Sequence, residues 1–235
     1  TALDTADWQV LDDTKADGFA GYEFTKTETT VLRYRKVTGK GKTYYQVVLK
    51  STPFYAESGG QIGDAGTIQI GQETVQVIDT KKENDLILHF TESLPNQLTG
   101  TVVAEIDQPR RKAITIHHSV THLMHAALRQ VLGTHVAQKG SLVNEQQLRF
   151  DFSHFAKLTQ EELQQVEQLV NQKIRENIPV VINVMPKEEA LKLGAMALFG
   201  EKYGDVVRVV IMDSSYSVEL CGCLLYTSDA ADDTP

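Results

Sequence analysis

The strongest constraint on the fold is a change of hydrophobic period near Asp107. Upstream of it, six short runs rich in Val, Ile, Thr and Tyr (31–37, 44–49, 67–70, 75–78, 86–90 and 101–106) follow one another with no helical segment between them. Turn residues such as Gly39-Lys40-Gly41 and Glu83-Asn84-Asp85 separate the runs, as hairpins require. Strands spaced in this way predict a small closed barrel. Downstream the period lengthens. Asp107 can cap a helix, Pro109 suits its first turn, and Ile116, Leu123, Ala127 and Val131 recur until Gly133 stops it. A second helix begins at Thr159, with Glu162 completing a capping box. Leu163, Val166, Val170 and Ile174 form its predicted buried stripe, and Asn177-Ile178-Pro179 ends it. Strand-like runs at 148–152, 180–184 and 206–211 surround this helix. The fold class is therefore α+β: a small N-terminal β-barrel, then an α+β core with helices packed on an antiparallel-type sheet. The expected divisions are a linker over 1–27, the barrel over 28–107 and the core over 108–222.

Charge narrows the function classes. The 235 residues carry a formal charge of -8, which disfavours a generic DNA-coating protein because nonspecific affinity for phosphate comes from cations. A local basic patch can still hold one RNA. The candidates are Arg33, Arg35, Lys36, Lys40 and Lys42, then Arg110, Arg111 and Lys112, and a solvated face explains either cluster as well. No apolar run approaches the roughly 20 residues of a membrane helix, and no basic-then-apolar leader opens the chain. A cytoplasmic protein without membrane or DNA partners is the expectation. Residue 1 is Thr rather than Met, which suggests a piece of a longer reading frame. Cys221 and Cys223 are one residue apart, too close for an ordinary disulfide, so a reducing compartment or metal ligation is expected.

The candidate chemistry begins with histidine. His117, His118, His122, His125 and His135 lie close together in sequence, and His118 and His122 are four apart on the first helix. Four residues turn about 400°, so both imidazoles share a face and can grip one cation. In a metalloprotease helix Glu follows the first His; here Ser119 does, which disfavours peptidase chemistry. Two ordinary helix histidines are the plain alternative. A remote thiol, Cys221, strengthens the metal reading, since thiolate with imidazole suits Zn²⁺.

Beyond single spacings, His118-Ser-Val-Thr-His-Leu-Met-His-Ala-Ala-Leu-Arg129, its continuation through residue 143, and Leu148-Arg-Phe-Asp-Phe152 resemble the editing domain of bacterial alanyl-tRNA synthetases. Thr52-Pro-Phe-Tyr-Ala-Glu-Ser-Gly-Gly-Gln-Ile-Gly-Asp64 is similar to that family's glycine-rich barrel segment, and the runs 194–203 and 219–222 match as well. The resemblance implies a deacylase that hydrolyses serine or glycine wrongly esterified to the alanine tRNA. A pocket shaped for a methyl group separates such substrates by only about 1–3 kcal/mol, so a second, hydrolytic sieve is needed. It further implies one Zn²⁺ site with His118, His122 and Cys221 as ligands. Thr121 would recognise the substrate amino acid, and Gln138 would position the ester or water. The acceptor end of tRNA(Ala) and an upstream ATP-dependent catalytic domain of the parent synthetase would be the partners. Gly59, Gly60 and Gly63 suit backbone geometry in a loop facing the pocket, while Lys202, Arg110 and Arg111 could meet tRNA phosphates. His125 reads as a packing or hydrogen-bonding residue.

The late motif departs from the family's pattern. Where the family has Cys-Gly-Gly-Thr-His, this chain has Cys221-Gly222-Cys223-Leu224-Leu225, so three of four expected protein ligands are present. Water is easier to build as the fourth ligand than Cys223, whose spacing from Cys221 makes a tetrahedron awkward. Residues 223–235 look like the translation of a sequencing adapter, and are expected to be a read-through tail. Without its Asp229, Asp232 and Asp233 the charge is -5. Two other functions stay open: a free-standing trans-editing deacylase of the same superfamily, and a non-catalytic tRNA-binding module with structural zinc.

Overall fold

A computed structural model of the chain describes residues 4–39, 41–197 and 204–225. Contacts divide the chain into two compact units: Thr1–Ser58 with Ile62–Arg111, and Gly59–Gln61 with Lys112–Pro235.

The first unit is a β structure. Its strands are β1 (Asp4–Thr5), β2 (Gln9–Val10), β3 (Gly18–Phe19), β4 (Lys26–Thr29), β5 (Val31–Gly39), β6 (Lys42–Leu49), β7 (Ser51–Thr52), β8 (Gly66–Ile70), β9 (Glu73–Glu83), β10 (Leu86–Thr91) and β11 (Val102–Ile106). Each of the six expected runs is a strand. The order is β1-β5-β6-β10-β9-β8-β11-β4, with β2 also on β5, and every neighbour is antiparallel. Among the described residues no ladder pairs β4 with β5. Yet β4 lies at one end of this path, β5 lies near the other, and only Thr30 separates them in sequence. A one-residue link cannot span an open sheet of this width, so the sheet must curl back until its ends approach. Alternation supplies the inside: Val77 of β9, and Val102, Ala104 and Ile106 of β11, point to a core shared with Val31, Val47, Leu49, Phe54 and Ile68. The stretch 1–27, expected as a linker, supplies β1 to β3 and the start of β4.

Two buried polar groups fix this unit. His89 is fully buried, with Nδ1 2.8 Å from the Val47 carbonyl oxygen and Nε2 2.7 Å from Thr52 Oγ1. The carbonyl can only accept, so Nδ1 donates and Nε2 accepts the hydroxyl proton. Burial lowers the His89 pKa to about 4, although the Val47 bond opposes the shift. The second group corrects an expectation. Arg111 is not a solvated cation facing RNA: its Nε lies 2.9 Å from both Asp64 oxygens, its Nη2 bonds Pro53 O at 2.7 Å, and its Nη1 bonds Gly21 O at 3.2 Å. Both side chains are buried, and Asp64 Oδ2 also accepts from Tyr55 N at 2.7 Å. The sequence pattern hid this because the acid partner lies 47 residues upstream. Arg110 is tied to the same segment, donating through Nη1 to Gly63 O at 2.9 Å.

The second unit takes α1 (Gln108–Leu132) from Lys112 onward, then β12 (Gln138–Val143), β13 (Leu148–Phe152), α2 (Gln160–Arg175), β14 (Val180–Pro186), α3 (Lys187–Lys192), β15 (Met196–Ala197), β16 (Val206–Met212) and β17 (Ser217–Leu220). Asp107 Oδ1 accepts from Arg110 N at 3.0 Å, the expected N-cap, and Gly133 ends α1 at φ +115°. Thr159 and Glu162 form the capping box of α2, and Asn177 turns out of it at φ +47°. Strands β12 and β13 form a hairpin, and β14-β16-β17-β15 form a sheet that is antiparallel except for β15 with β17. Ala127, Leu128 and Val136 pack with Val166, Leu169, Val170, Phe150 and Phe152, which joins α1, α2 and the hairpin. Leu163, expected in the buried stripe of α2, is 47% exposed; Leu169 packs in this cluster instead. The short helix α3 is too brief to carry a period in the sequence.

Two stability outcomes are expected. Removing Arg111 strands the buried Asp64 charge, so Arg111→Ala should cost about 3–5 kcal/mol in urea unfolding. A variant of unchanged stability that binds RNA more weakly would return Arg111 to a phosphate-contacting role. For His89, the folded pKa lies below the unfolded value near 6.5. Its contribution is therefore complete above about pH 6.5 and declines as pH falls towards 4, by up to about 3 kcal/mol. The stability gap between the chain and His89→Gln should narrow over that range, and a gap constant with pH would contradict this.

Candidate functional site

One face of α1 carries His118, Thr121, His122 and His125, the i, i+3, i+4 and i+7 positions that share a helical stripe. All four are buried. The helix is held from both sides: His117 Nδ1 lies 2.7 Å from Asn144 O in the hairpin turn, and Tyr216 Oη donates to Leu123 O at 2.8 Å. A cleft in this unit is lined by Gly59, His118, Thr121, His122, His125, Gln138, Ser141, Phe150 and Glu219. Expected site residues His118, His122, Thr121, Gln138 and Gly59 thus meet in one place.

Glycine explains how the segment Gly59–Gln61 reaches this unit. Gln61 bridges Val143 of β12 in parallel, and Val143 N donates to Gly60 O at 2.8 Å. Gly60 has φ +82°, and a Cβ there would lie 1.9 Å from Ser141 Oγ and 2.9 Å from Ser141 O. Both the left-handed backbone and the lack of space require glycine. The close approach sets fully buried Gln61 beside His118, whose Nδ1 is 3.0 Å from Gln61 Oε1. With Nδ1–H donated to that oxygen, Nε2 carries the lone pair, the arrangement found behind metal-ligating histidines. His118 Nε2 lies 3.6 Å from Cys221 Sγ.

Glu219 sets the other two imidazoles. Its carboxylate is fully buried; Oε2 takes His122 Nδ1 in a short contact, and Oε1 takes His125 Nδ1 at 2.6 Å. Burial alone would raise its pKa, but the charges and hydrogen bonds of His122 and His125 outweigh it and hold the carboxyl below its usual range. An ionised carboxylate only accepts, so both rings donate from Nδ1. The ring of His122 stacks on His118 at 5.2 Å between centroids, and that of His125 packs on Phe150 at 5.1 Å. His125 therefore both packs and hydrogen-bonds, as the sequence predicts, and its buried Nε2 has no hydrogen-bond partner among the described residues.

The substrate-facing groups follow. Thr121 Oγ1 donates to His117 O at 2.8 Å, one turn back, leaving oxygen lone pairs as its offer to a ligand. Gln138 opens β12 beside a register shift between Gln138 and Gly140, a bulge that re-aims side chains at a strand end. Lys202 lies outside the described residues.

The donor atoms suit a cation. Tetrahedral zinc with about 2.0–2.1 Å to nitrogen and about 2.3 Å to sulfur places those atoms about 3.6 Å apart, the separation observed between His118 and Cys221. The ligand atoms of His118, Cys221 and Cys223, all buried, lie within 4.8 Å of one another. The sequence reading missed Gln61 and Glu219. Glu219 carried a signal, since it stands two residues before Cys221 and shares its strand face. Gln61 carried none beyond its place after two glycines.

With this geometry established, comparison with known proteins is informative. A family described as tRNA synthetases class II (A) matches residues 2–110. Alanine--tRNA ligase of Cytophaga hutchinsonii is 53% identical over 222 residues, 94% of this chain and 25% of that enzyme. The enzyme of the same name from Bacteroides fragilis is 54% identical over the same shares, and that of Salinibacter ruber 47% identical over 94% of this chain and 23% of the enzyme. The chain spans about a quarter of the length of these relatives. It belongs to the alanine–tRNA ligase family, as the counterpart of one segment of those enzymes.

Proposed function

We propose that this chain is the proofreading segment of an alanine–tRNA ligase, a cytoplasmic esterase that releases serine or glycine from mischarged tRNA(Ala). One observation carries the reading: the 3.6 Å approach of His118 Nε2 and Cys221 Sγ, with Nδ1 anchored on Gln61, where His118 also lines a cleft with Thr121 and Gln138. The acceptor end of tRNA(Ala) is the proposed substrate, and the aminoacylating domain of the longer enzyme is the proposed partner.

His118, His122 and Cys221 would hold Zn²⁺, which supplies positive charge where the ester carbonyl and amino group sit. Gln61 and Glu219 orient the imidazoles from behind. Thr121 has spent its proton on His117 O, so its oxygen can accept the hydroxyl proton of a seryl group. Alanine has no such donor, which would turn a hydroxyl poorly excluded elsewhere into a means of recognition. The Gln138 amide has both donor and acceptor for orienting an ester or a water. Gly59 and Gly60 shape the wall, and Lys202 and Arg110 remain candidates for phosphate contact.

Hydrolysis of Ser-tRNA(Ala) is expected to be slow in this chain, because Leu225 stands where the family pattern has a histidine. Cys223→Gly, Leu224→Thr and Leu225→His together should raise it by about 10–100-fold, and Thr121→Ala in that background should lower seryl more than glycyl release. Full activity without the three changes would make the histidine dispensable. Absence of activity with them would leave a tRNA-binding module. In a second test, Glu219→Gln offers one acceptor oxygen for two imidazoles. Zinc affinity by chelator competition should then fall about 10–100-fold, and unchanged affinity would remove His122 from the ligand set.

A further inference from the structure

His135 belongs to the sequence run of five histidines but does not line the cleft. It stands instead in a second group of rings, with His154 and Phe155, beyond the open end of the hairpin β12–β13. His135 Nε2 lies 2.8 Å from His154 Nδ1, and the two ring centroids are 5.1 Å apart with their planes at 23°. Nitrogens so close at that centroid spacing mean that the rings meet edge to edge, near one plane, through an N–H···N bond. The Phe155 ring lies across both, its centroid 5.0 Å from that of His135 and 4.5 Å from that of His154, tilted 32° to each. Several ties hold the group in place. Ser153 N donates to Ala137 O at 3.0 Å, and Arg129 Nη1 donates to Val136 O at 2.7 Å. A Cβ at Gly133 would lie 3.0 Å from His135 Nδ1, so this imidazole is seated against the end of α1. Phe155 is nevertheless 85% exposed and takes no part in the cluster where Phe150 and Phe152 pack. One face of its ring is therefore backed by imidazoles and the other is open.

We propose that this ring group is a stacking platform for a nucleobase, namely the unpaired base of the nucleotide that bears the ester. The inference rests on the proofreading reading and places the end of the RNA strand beside the cleft. Three observations favour a base over an apolar protein segment. A flat ring already fixed by two bonded imidazoles loses little freedom on stacking, and every base has a π-face to offer it. The segments 134–139 and 153–158 contain Lys139 and Lys157, both exposed, and no Asp or Glu, a balance that suits a phosphate-linked partner. The third observation is position. Gln138, which lines the cleft, is three residues from His135 and pairs with Phe152, itself three residues before Phe155. Three residues span at most about 10 Å, so an ester held at Gln138 brings the base of its own nucleotide within reach of Phe155.

The test uses the full chain and a short single-stranded RNA whose 3′-terminal base is 2-aminopurine, a fluorophore quenched by stacking. Binding should quench it. Phe155→Ala should weaken binding by about 5–150-fold and abolish the quenching, and Phe155→Tyr, which keeps the ring, should retain both. An RNA lacking only that base should bind the unsubstituted chain and Phe155→Ala alike. Circular dichroism checks that the variants are folded. Equal affinities of the chain and Phe155→Ala for the base-bearing RNA would overturn the proposal, as would an equal loss for both RNAs. Self-association that depends on Phe155, without quenching, would assign the platform to a protein surface instead. Hydrolysis of Ser-tRNA(Ala) by the chain carrying Cys223→Gly, Leu224→Thr and Leu225→His separates this inference from the reading beneath it. If hydrolysis proceeds with the same KM after Phe155→Ala, the platform falls and proofreading stands. Quenching without hydrolysis would leave the platform on a tRNA-binding module, and the absence of both would remove both.

Discussion

A single buried carboxylate organises the second unit. Glu219 is an unfavourable residue to place in a strand whose neighbours face a core, since a desolvated charge without partners is strongly disfavoured. It is tolerated because both oxygens accept hydrogen bonds from α1, one from His122 and one from His125. The pairing fixes β17 against α1 in rotation and in height. Cys221, two residues on along the same strand face, is thereby brought to His118, one turn from His122 on the same helix face. The placement of these side chains thus follows from a buried carboxylate hydrogen-bonded to two imidazoles. An apolar residue at Glu219 could fill the volume but would leave two imidazole tautomers unspecified and the sulfur-to-nitrogen distance unset.

The first unit solves a comparable problem with different residues. Asp64 and Arg111 are both buried, and the guanidinium also takes the carbonyls of Gly21 and Pro53. Such a network adds little stability over well-packed apolar groups, yet it specifies which loops meet. In both units, then, a charged residue that looks like a functional candidate in the sequence, or like nothing at all, acts chiefly as a fastener. His89 does the same in neutral form, with each ring nitrogen bonded and its pKa lowered by burial.

What was legible in the sequence follows from the range of the interactions involved. Strands β5, β6, β8, β9, β10 and β11, the capping box of α2 and the glycine stop of α1 depend on neighbours within a few residues, and the chain pattern displays them. The helical histidine pair is likewise local. Partners 47, 57 and 97 residues away (Asp64 for Arg111, Gln61 for His118, Glu219 for His122) leave no local trace. Local pattern alone therefore makes Arg111 a surface cation. Periodicity places Leu163 in the core because it reports which face of α2 is apolar, and not how far the opposing layer extends.

The same distinction governs the late cysteines. From spacing alone, residues i and i+2 present a convergence problem for two sulfurs on one ion. Arg208 of the neighbouring strand holds the Cys221 and Cys223 carbonyls through one nitrogen, at 3.3 and 2.6 Å, which bends the segment, and the two sulfurs lie within 4.8 Å of each other. The placement of the candidate donor atoms is then set by a cation at the two cysteines, as it is set by a carboxylate at His122 and His125. Glu219 fixes the imidazoles and Arg208, from β16, fixes the Cys221 and Cys223 carbonyls, so the two act on residues 219–223 of β17 and its exit. A substitution at either residue should act on metal binding without touching a donor atom, which separates the orientation of the site from its composition.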